Sequence, residues 1–368
     1  MKEHINVDIL LMVGGKGGLE NSVNTACDYL VSQGCRVRFI QVVKTGADWY
    51  TSKASFHCLN SSEHIDIEEC TRKYMDLISS DTAPDLIIVA GMPHMIYIAK
   101  RAIITLQLPI PIAAWPHNDL FYYDEISRTQ DALGYAEFIF AISDKIANDA
   151  EKLCPDKIIY RVNNSINPEN IVYSDTRNTS DFAFVGRLSP EKNVELIIKA
   201  IARSKCNLTI IGDGEEKESL MALSDKLNCH DRITFAGWND APWQLLTHHR
   251  ALIMASSTEG SPLTCVEALA CGMQVISTPV ASVPELIIPD VTGFIYPYDS
   301  SDALANVINS LADVSFNQET AEKCKASIAD FLPETALYDF KCKVVASANL
   351  KALPQRNWRD KSLIWCRQ

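Results

Sequence analysis

Short apolar runs separated by longer amphipathic stretches recur along the chain. The first set is Val7–Val13, Val37–Val43, Leu86–Ala90, Ile112–Ala114 and Phe138–Ile142, with segments of helical period over 20–33, 64–79, 95–106 and 144–153 between them. A brief apolar run flanked by turns predicts a buried strand, and apolar positions three or four apart predict a helix lying on the sheet. After a polar stretch from Asn163 to Ser180 the rhythm restarts with Phe182–Val185, Leu208–Ile211, Ile233–Phe235, Ala251–Ala255 and Val275–Ile276. The pattern predicts an α/β chain of two Rossmann-like parallel-sheet domains, residues 1–168 and 169–335, facing each other across a cleft, followed by a segment 336–368. Ligands of such sheets bind beyond the carboxyl ends of the strands, so chemistry is sought in the loops that follow strands.

The length of 368 residues exceeds one ordinary core and fits two. Twelve cysteines form no Cys-x-x-Cys pair, so buried reduced thiols are expected rather than zinc or disulfides. No run reaches the eighteen apolar residues of a membrane span, and Met1-Lys-Glu-His4 leads directly into a strand, which predicts a soluble, cytoplasmic protein. A net charge of −12 argues against a nucleic-acid partner. The charge is uneven, however. Residues 351–368 carry Lys351, Arg356, Arg359, Lys361 and Arg367 against Asp360, with Trp358 and Trp365 among them. That composition suits peripheral contact with an anionic membrane, and it equally suits a tail whose tryptophans dock on the protein.

The run Glu259-Gly-Ser-Pro-Leu-Thr-Cys-Val-Glu267 lies between two apolar stretches and reads as strand, loop, helix, strand. Pro262 suits the first turn of a helix ending near Gly272, and the free N–H groups near Leu263 and Thr264, just past Ser261, form an anion site at its positive end. A phosphate flanked by two hydroxyl-reading carboxylates describes a nucleotide sugar. The alternative is a pair of solvated charges on a surface helix. Upstream, Gly186-Arg187-Leu188-Ser-Pro-Glu-Lys192-Asn193 places a guanidinium and an ammonium on one loop, able to hold a diphosphate without a metal. Either cation alone reads as a surface charge. Gly212-Asp213-Gly214 forms a turn that lets another backbone come close, and Gly237-Trp238 ends the next strand. The first strand ends in Gly14-Gly15-Lys16-Gly17-Gly18, which fits neither a dinucleotide fingerprint nor a P-loop. It reads either as a turn approaching a ligand or as a tight strand-to-helix connection with none.

In order and spacing, Gly186-Arg187-Leu188 with Glu191-Lys192-Asn193, Gly212-Asp213-Gly214, Phe235-x-Gly237, Glu259-Gly260-Ser261-Pro262 with Glu267-Ala268, and the early Gly17-Gly18-Leu19-Glu20 resemble the retaining GT-B glycosyltransferases of family 4. The resemblance covers nearly the whole chain. It implies that Arg187 and Lys192 hold the donor diphosphate, that Glu267 takes the ribose hydroxyls, and that Glu259 contacts the sugar near its 3- and 4-positions. It further implies that His117 lies beside the transferred sugar, that Gly17 and Gly18 approach the donor phosphate and acceptor, and that the helix from Pro333 to Asn349 returns to the first domain. Ala114-Trp115-Pro116-His117 and Gly237-Trp238-Asn-Asp-Ala-Pro242-Trp243 resemble a branch of the family acting on the lipopolysaccharide core, which implies UDP-galactose as donor. One departure is Asn163-Asn164-Ser165-Ile166-Asn167, where serine replaces the family's glycine before the second domain.

The chemistry agrees with these roles. Breaking a sugar–phosphate bond builds negative charge on the diphosphate, which cations and helix N–H donors stabilise. No Asp-x-Asp occurs, consistent with cations in place of a metal, and no cofactor is expected beyond the nucleotide sugar itself, a UDP-hexose. Retention implies attack on the same face, with the departing phosphate oxygen taking the acceptor proton, so no protein nucleophile is named. Two alternatives to a transferase building a surface glycan or glycolipid are a nucleotide-sugar epimerase of the same fold and a catalytically silent partner protein. His117 could instead be a satisfied core histidine. The glycan or glycolipid acceptor would be read by the loops 45–62 and 118–130, with Tyr122, Tyr123, Asp124 and Glu125 as candidate contacts.

Overall fold

A computed structural model describes residues 5–15, 17–44, 49–60, 66–121 and 126–350. The chain divides into two compact units, one formed by residues up to Ser165 together with those from Glu334 onward, the other by Ile166–Pro333.

The first unit holds β1 (Asn6–Leu11), β2 (Arg36–Val43), β3 (Ser55–Asn60), β4 (Leu86–Ala90), β5 (Ile112–Trp115), β6 (Phe138–Ala141) and β7 (Ile158–Arg161). All pairs are parallel, in the order β3-β2-β1-β4-β5-β6-β7, with Val7 of β1 opposite Val37 and Leu86. Helices α1 (Gly18–Ser32), α2 (Ile67–Ser80), α3 (Ile96–Thr105), α4 (Ile126–Gly134) and α5 (Asp144–Leu153) connect them. β4 is buried along its whole length, as expected of a central parallel strand covered on both faces. The buried charge Asp8 in β1 is matched by Arg38 in β2, whose Nε and Nη2 donate to its two oxygens at 2.7 and 2.9 Å while Tyr74 Oη donates at 2.8 Å. A bidentate pair with a third donor leaves that carboxylate satisfied.

The second unit holds β8 (Asp181–Val185), β9 (Asn207–Ile211), β10 (Ile233–Gly237), β11 (Ala251–Met254), β12 (Gln274–Ser277) and β13 (Gly293–Ile295). Its helices are α6 (Val194–Ala202), α7 (Lys217–Lys226), α8 (Pro242–Leu245), α9 (Leu263–Ala270), α10 (Val283–Leu286), α11 (Ser301–Ala312) and α12 (Gln318–Ala326). The strand order is β10-β9-β8-β11-β12-β13, again all parallel, so the winding direction reverses between β8 and β11. Helix α13 (Pro333–Ala348) belongs to the first unit, where Phe340 packs on Trp115 and Phe140 with ring centroids 4.8 and 5.7 Å apart.

Two Rossmann-like parallel sheets are therefore present, and every strand expected from the apolar runs is found. Four elements depart from the sequence reading. β3 occupies part of the expected loop 45–62 and α4 part of 118–130, while β7 and β13 fall where no strand was expected. β3, β7 and β13 are sheet edges, where one side lacks a neighbour and the apolar signal thins; Ser55, Phe56 and Cys58 of β3 are exposed. Tyr122–Glu125 and the basic segment 351–368 lie outside the described residues. Ser165 has no positive φ, so serine at the family's glycine position adopts an ordinary backbone. Among the described residues, no helix is long and apolar enough to cross a membrane.

Candidate active site

In the second unit the winding reversal separates the loops after β8 and β11, which opens a crevice at the carboxyl ends of two adjacent strands. The β8 loop runs from Gly186 through a 3₁₀ turn, Pro190–Lys192, to Asn193, whose left-handed backbone (φ 49°, ψ 46°) starts α6. Ser189 Oγ donates to Glu191 Oε1 at 2.6 Å, and the Ser257 N–H donates to the Glu191 carbonyl at 2.9 Å, pinning the β8 loop to the β11 loop. Across the same gap Lys192 Nζ pairs with Glu259 Oε1, which also accepts from Ser256 Oγ at 2.8 Å. Arg187 is exposed and forms no ion pair among the described residues.

The glycine turns explain how these loops lie so close. Gly212 has φ 153°, and a Cβ there would stand 1.8 Å from the Gly186 carbonyl oxygen; one at Gly214 would stand 2.3 Å from that of Leu188. Leu188 N–H donates to Asp213 O at 2.9 Å and Gly212 N–H to Gly237 O at 2.8 Å. The backbone that comes close to Gly212–Gly214 is thus the chain's own, which stitches the loops after β8, β9 and β10 together. Trp238, beyond the edge strand β10, stays 48% exposed, its indole N–H donating to Asp240 Oδ1 at 2.8 Å.

Helix α9 begins at Leu263. Pro262 precedes the first helical residue with an extended backbone (φ −71°, ψ 106°), one position outside the turn expected for it. The Leu263 and Thr264 amides lie ahead of the first intrahelical bond, Cys265 N–H to Pro262 O at 3.0 Å, and are free to meet an anion. Ser261 is buried, its Oγ accepting from Ser282 Oγ at 3.2 Å. Glu267 is the fifth helical residue, just over one turn in. Its Oε2 accepts from Trp243 Nε1 at 3.1 Å, and burial pushes its carboxyl up to about 7 against the pull of that bond.

In the first unit Gly17 and Gly18 stand at the start of α1, beyond the end of β1. The Glu20 carboxylate folds back over the turn, so a Cβ at Gly17 would meet Oε2 at 3.0 Å and one at Gly15 would meet Oε1 at 3.4 Å. His117 follows β5, is buried, and lies against Trp115 with the rings tilted by 60° and their centroids 4.6 Å apart. Burial pushes its imidazole down to about 3, so the ring is neutral, and its Nε2 has no hydrogen-bond partner among the described residues.

Residues 174–329 match the family model of glycosyl transferases group 1. The second unit is a glycosyl transferase group 1 domain. Arg187, Lys192, Glu259 and Glu267 all fall within that domain, whereas Gly17, Gly18 and His117 lie outside the matched span. The chain is 29% identical over 277 residues to the lipopolysaccharide 1,6-galactosyltransferase of Escherichia coli K12, covering 72% of this chain and 75% of that protein. It is 28% identical over 242 residues to the enzyme of that name from Salmonella typhimurium, covering 62% and 66%. Among solved structures, the apo lipopolysaccharide outer core galactosyltransferase WaaB superposes with a TM-score of 0.77 at 23% identity, over 93% of this chain and 99% of that one. Anabaena HepE in complex with UDP-glucose superposes with a TM-score of 0.77 at 17% identity, over 94% and 100%. The fold is that of the GT-B glycosyltransferases, and the resemblance carried by the motifs holds.

Ser256, which fixes Glu259, has no counterpart in the motif reading, and Trp243, which stands in the motif Gly237–Trp243, has no role there; it fixes Glu267.

Proposed function

We propose that the protein is a retaining, metal-independent hexosyltransferase of the cytoplasm that moves galactose from UDP-galactose to a glycan or glycolipid acceptor of the lipopolysaccharide type. One observation carries the reading: the Lys192–Glu259 ion pair bridges the two loops of the β8/β11 crevice, the loops that also carry exposed Arg187 and lead into the first amides of α9. Cations and amides there would take the charge that builds on the leaving diphosphate. Glu267, one turn up the helix, would accept from the ribose hydroxyls, and Glu259 would face the sugar. His117, neutral and, among the described residues, unpartnered at Nε2, is assigned a hydrogen bond to the transferred hexose. The two bacterial galactosyltransferase relatives support galactose and the lipopolysaccharide acceptor, and the UDP-glucose complex of HepE supports a UDP donor.

The test incubates the purified protein with UDP-galactose, UDP-glucose, UDP-N-acetylglucosamine and GDP-mannose, with and without core oligosaccharide acceptors and with EDTA throughout. Acceptor-dependent UDP release that is fastest with UDP-galactose, and an α-anomeric product by NMR, is the expected result. A β-linked product, or loss of turnover in EDTA, would overturn the mechanism. Conversion of the free nucleotide sugar without acceptor would replace it with an epimerase.

A further inference from the structure

We propose that Trp243 is a positioning residue for the donor-binding carboxylate: its indole N–H holds Glu267 Oε2 and turns Oε1 toward the ribose hydroxyls. The inference rests on the donor reading of Glu267 given above. Trp243 is 1% exposed and belongs to the apolar cluster that includes Leu263, Val266 and Ala270 of α9, so its ring and the direction of its N–H are fixed. The bond to Glu267 Oε2 is 3.1 Å, and Oε1 accepts from no protein group among the described residues. A free glutamate side chain has rotamer freedom to lose on binding. One oxygen anchored in advance removes much of that loss and leaves the other to accept from a sugar diol.

The same bond keeps the carboxylate usable near neutrality. Apolar surroundings favour the protonated form, and the Trp243 N–H opposes them by stabilising the anion. The titratable group interacting with Glu267 is Cys271, the residue that follows α9, whose thiol burial pushes up to about 11 and therefore keeps neutral. UDP affinity should rise with pH as Glu267 ionises.

The experiment measures the UDP dissociation constant by calorimetry from pH 5.5 to 8.5, with KM and kcat for the donor, on the parent, Trp243→Phe and Glu267→Gln. Trp243→Phe keeps an aromatic ring in the core and removes the donor. It is expected to weaken UDP about tenfold at pH 7, the worth of one hydrogen bond to a charged group, to move the midpoint of the pH dependence upward, and to leave kcat at saturating donor within about twofold. Glu267→Gln should flatten the pH dependence. Parent-like UDP binding by Glu267→Gln at every pH would remove the donor reading of Glu267 and the inference with it. Weakened binding by Glu267→Gln with an unchanged constant and midpoint in Trp243→Phe would overturn the positioning role alone. Should Trp243→Phe melt below the assay temperature, 3-benzothienylalanine at position 243 preserves the ring's shape without the N–H and gives the same two outcomes.

Discussion

Replacement of Lys192 by alanine separates a catalytic cation from an ordinary surface ion pair, because the two readings predict effects of different size on different quantities. The Lys192 and Glu259 side chains are 24% and 14% exposed, so their pair is partly screened and is worth about 1 kcal/mol or less to folding. In a unit of this size that shifts the melting temperature by roughly 2–4 °C. As a donor to the departing diphosphate, by contrast, the ammonium acts where charge develops, and loss of one such donor lowers kcat by about a hundredfold or more, some 2.7 kcal/mol of barrier. Among the described residues the mutation also leaves Glu259 with only the 2.8 Å bond from Ser256, and on the proposed reading with an uncompensated charge near the donor phosphates. Lys192→Ala/Glu259→Gln should therefore recover part of the donor affinity lost in Lys192→Ala and none of the kcat. Steady-state UDP release and thermal unfolding on the same preparations check this. A kcat within about threefold of the parent in a folded Lys192→Ala protein would refute the leaving-group role.

Gly212→Ala would place a Cβ 1.8 Å from the Gly186 carbonyl oxygen at φ 153°, combining backbone strain and overlap of about 1–3 kcal/mol each, so the melting temperature should fall by roughly 5–20 °C; a fall under about 2 °C would contradict the close approach. His117→Asn should lower kcat about tenfold, the worth of one hydrogen bond, without moving the acid limb of the pH–rate profile, since an imidazole held down to about 3 is neutral from pH 5 upward. Glu267 titrates near 7 folded and about 4.3 unfolded, so its contribution to stability is present below pH 4.3 and lost as pH rises through 7. Glu267→Gln should accordingly gain stability relative to the parent at pH 8, by at most ~4 kcal/mol, and not at pH 4, which urea unfolding at the two pH values would read.

The local pattern already determined much of this protein. The apolar runs placed the core strands of both sheets, because a strand buried on both faces must be apolar along its length, as β4 is. The spacing from Glu259 to Glu267 around Pro262 located the start of α9, because helix entry is decided by neighbouring residues. Arg187 and Lys192 were legible as one loop's cations for the same reason. Three of the four described edge strands, β3, β7 and β13, escaped, since a strand open on one side carries a weaker apolar signal; the fourth, β10, did not. Only tertiary structure decided who meets whom. Lys192 reaches Glu259 across 67 residues, Trp243 reaches Glu267 across 24, and Gly212 lies on Gly186, because the strand order sets β8 beside β11 and β9. The sequence by itself supplied the chemical groups and the turns that present them. Their pairing depends on strand order, a long-range outcome of packing that no local periodicity encodes.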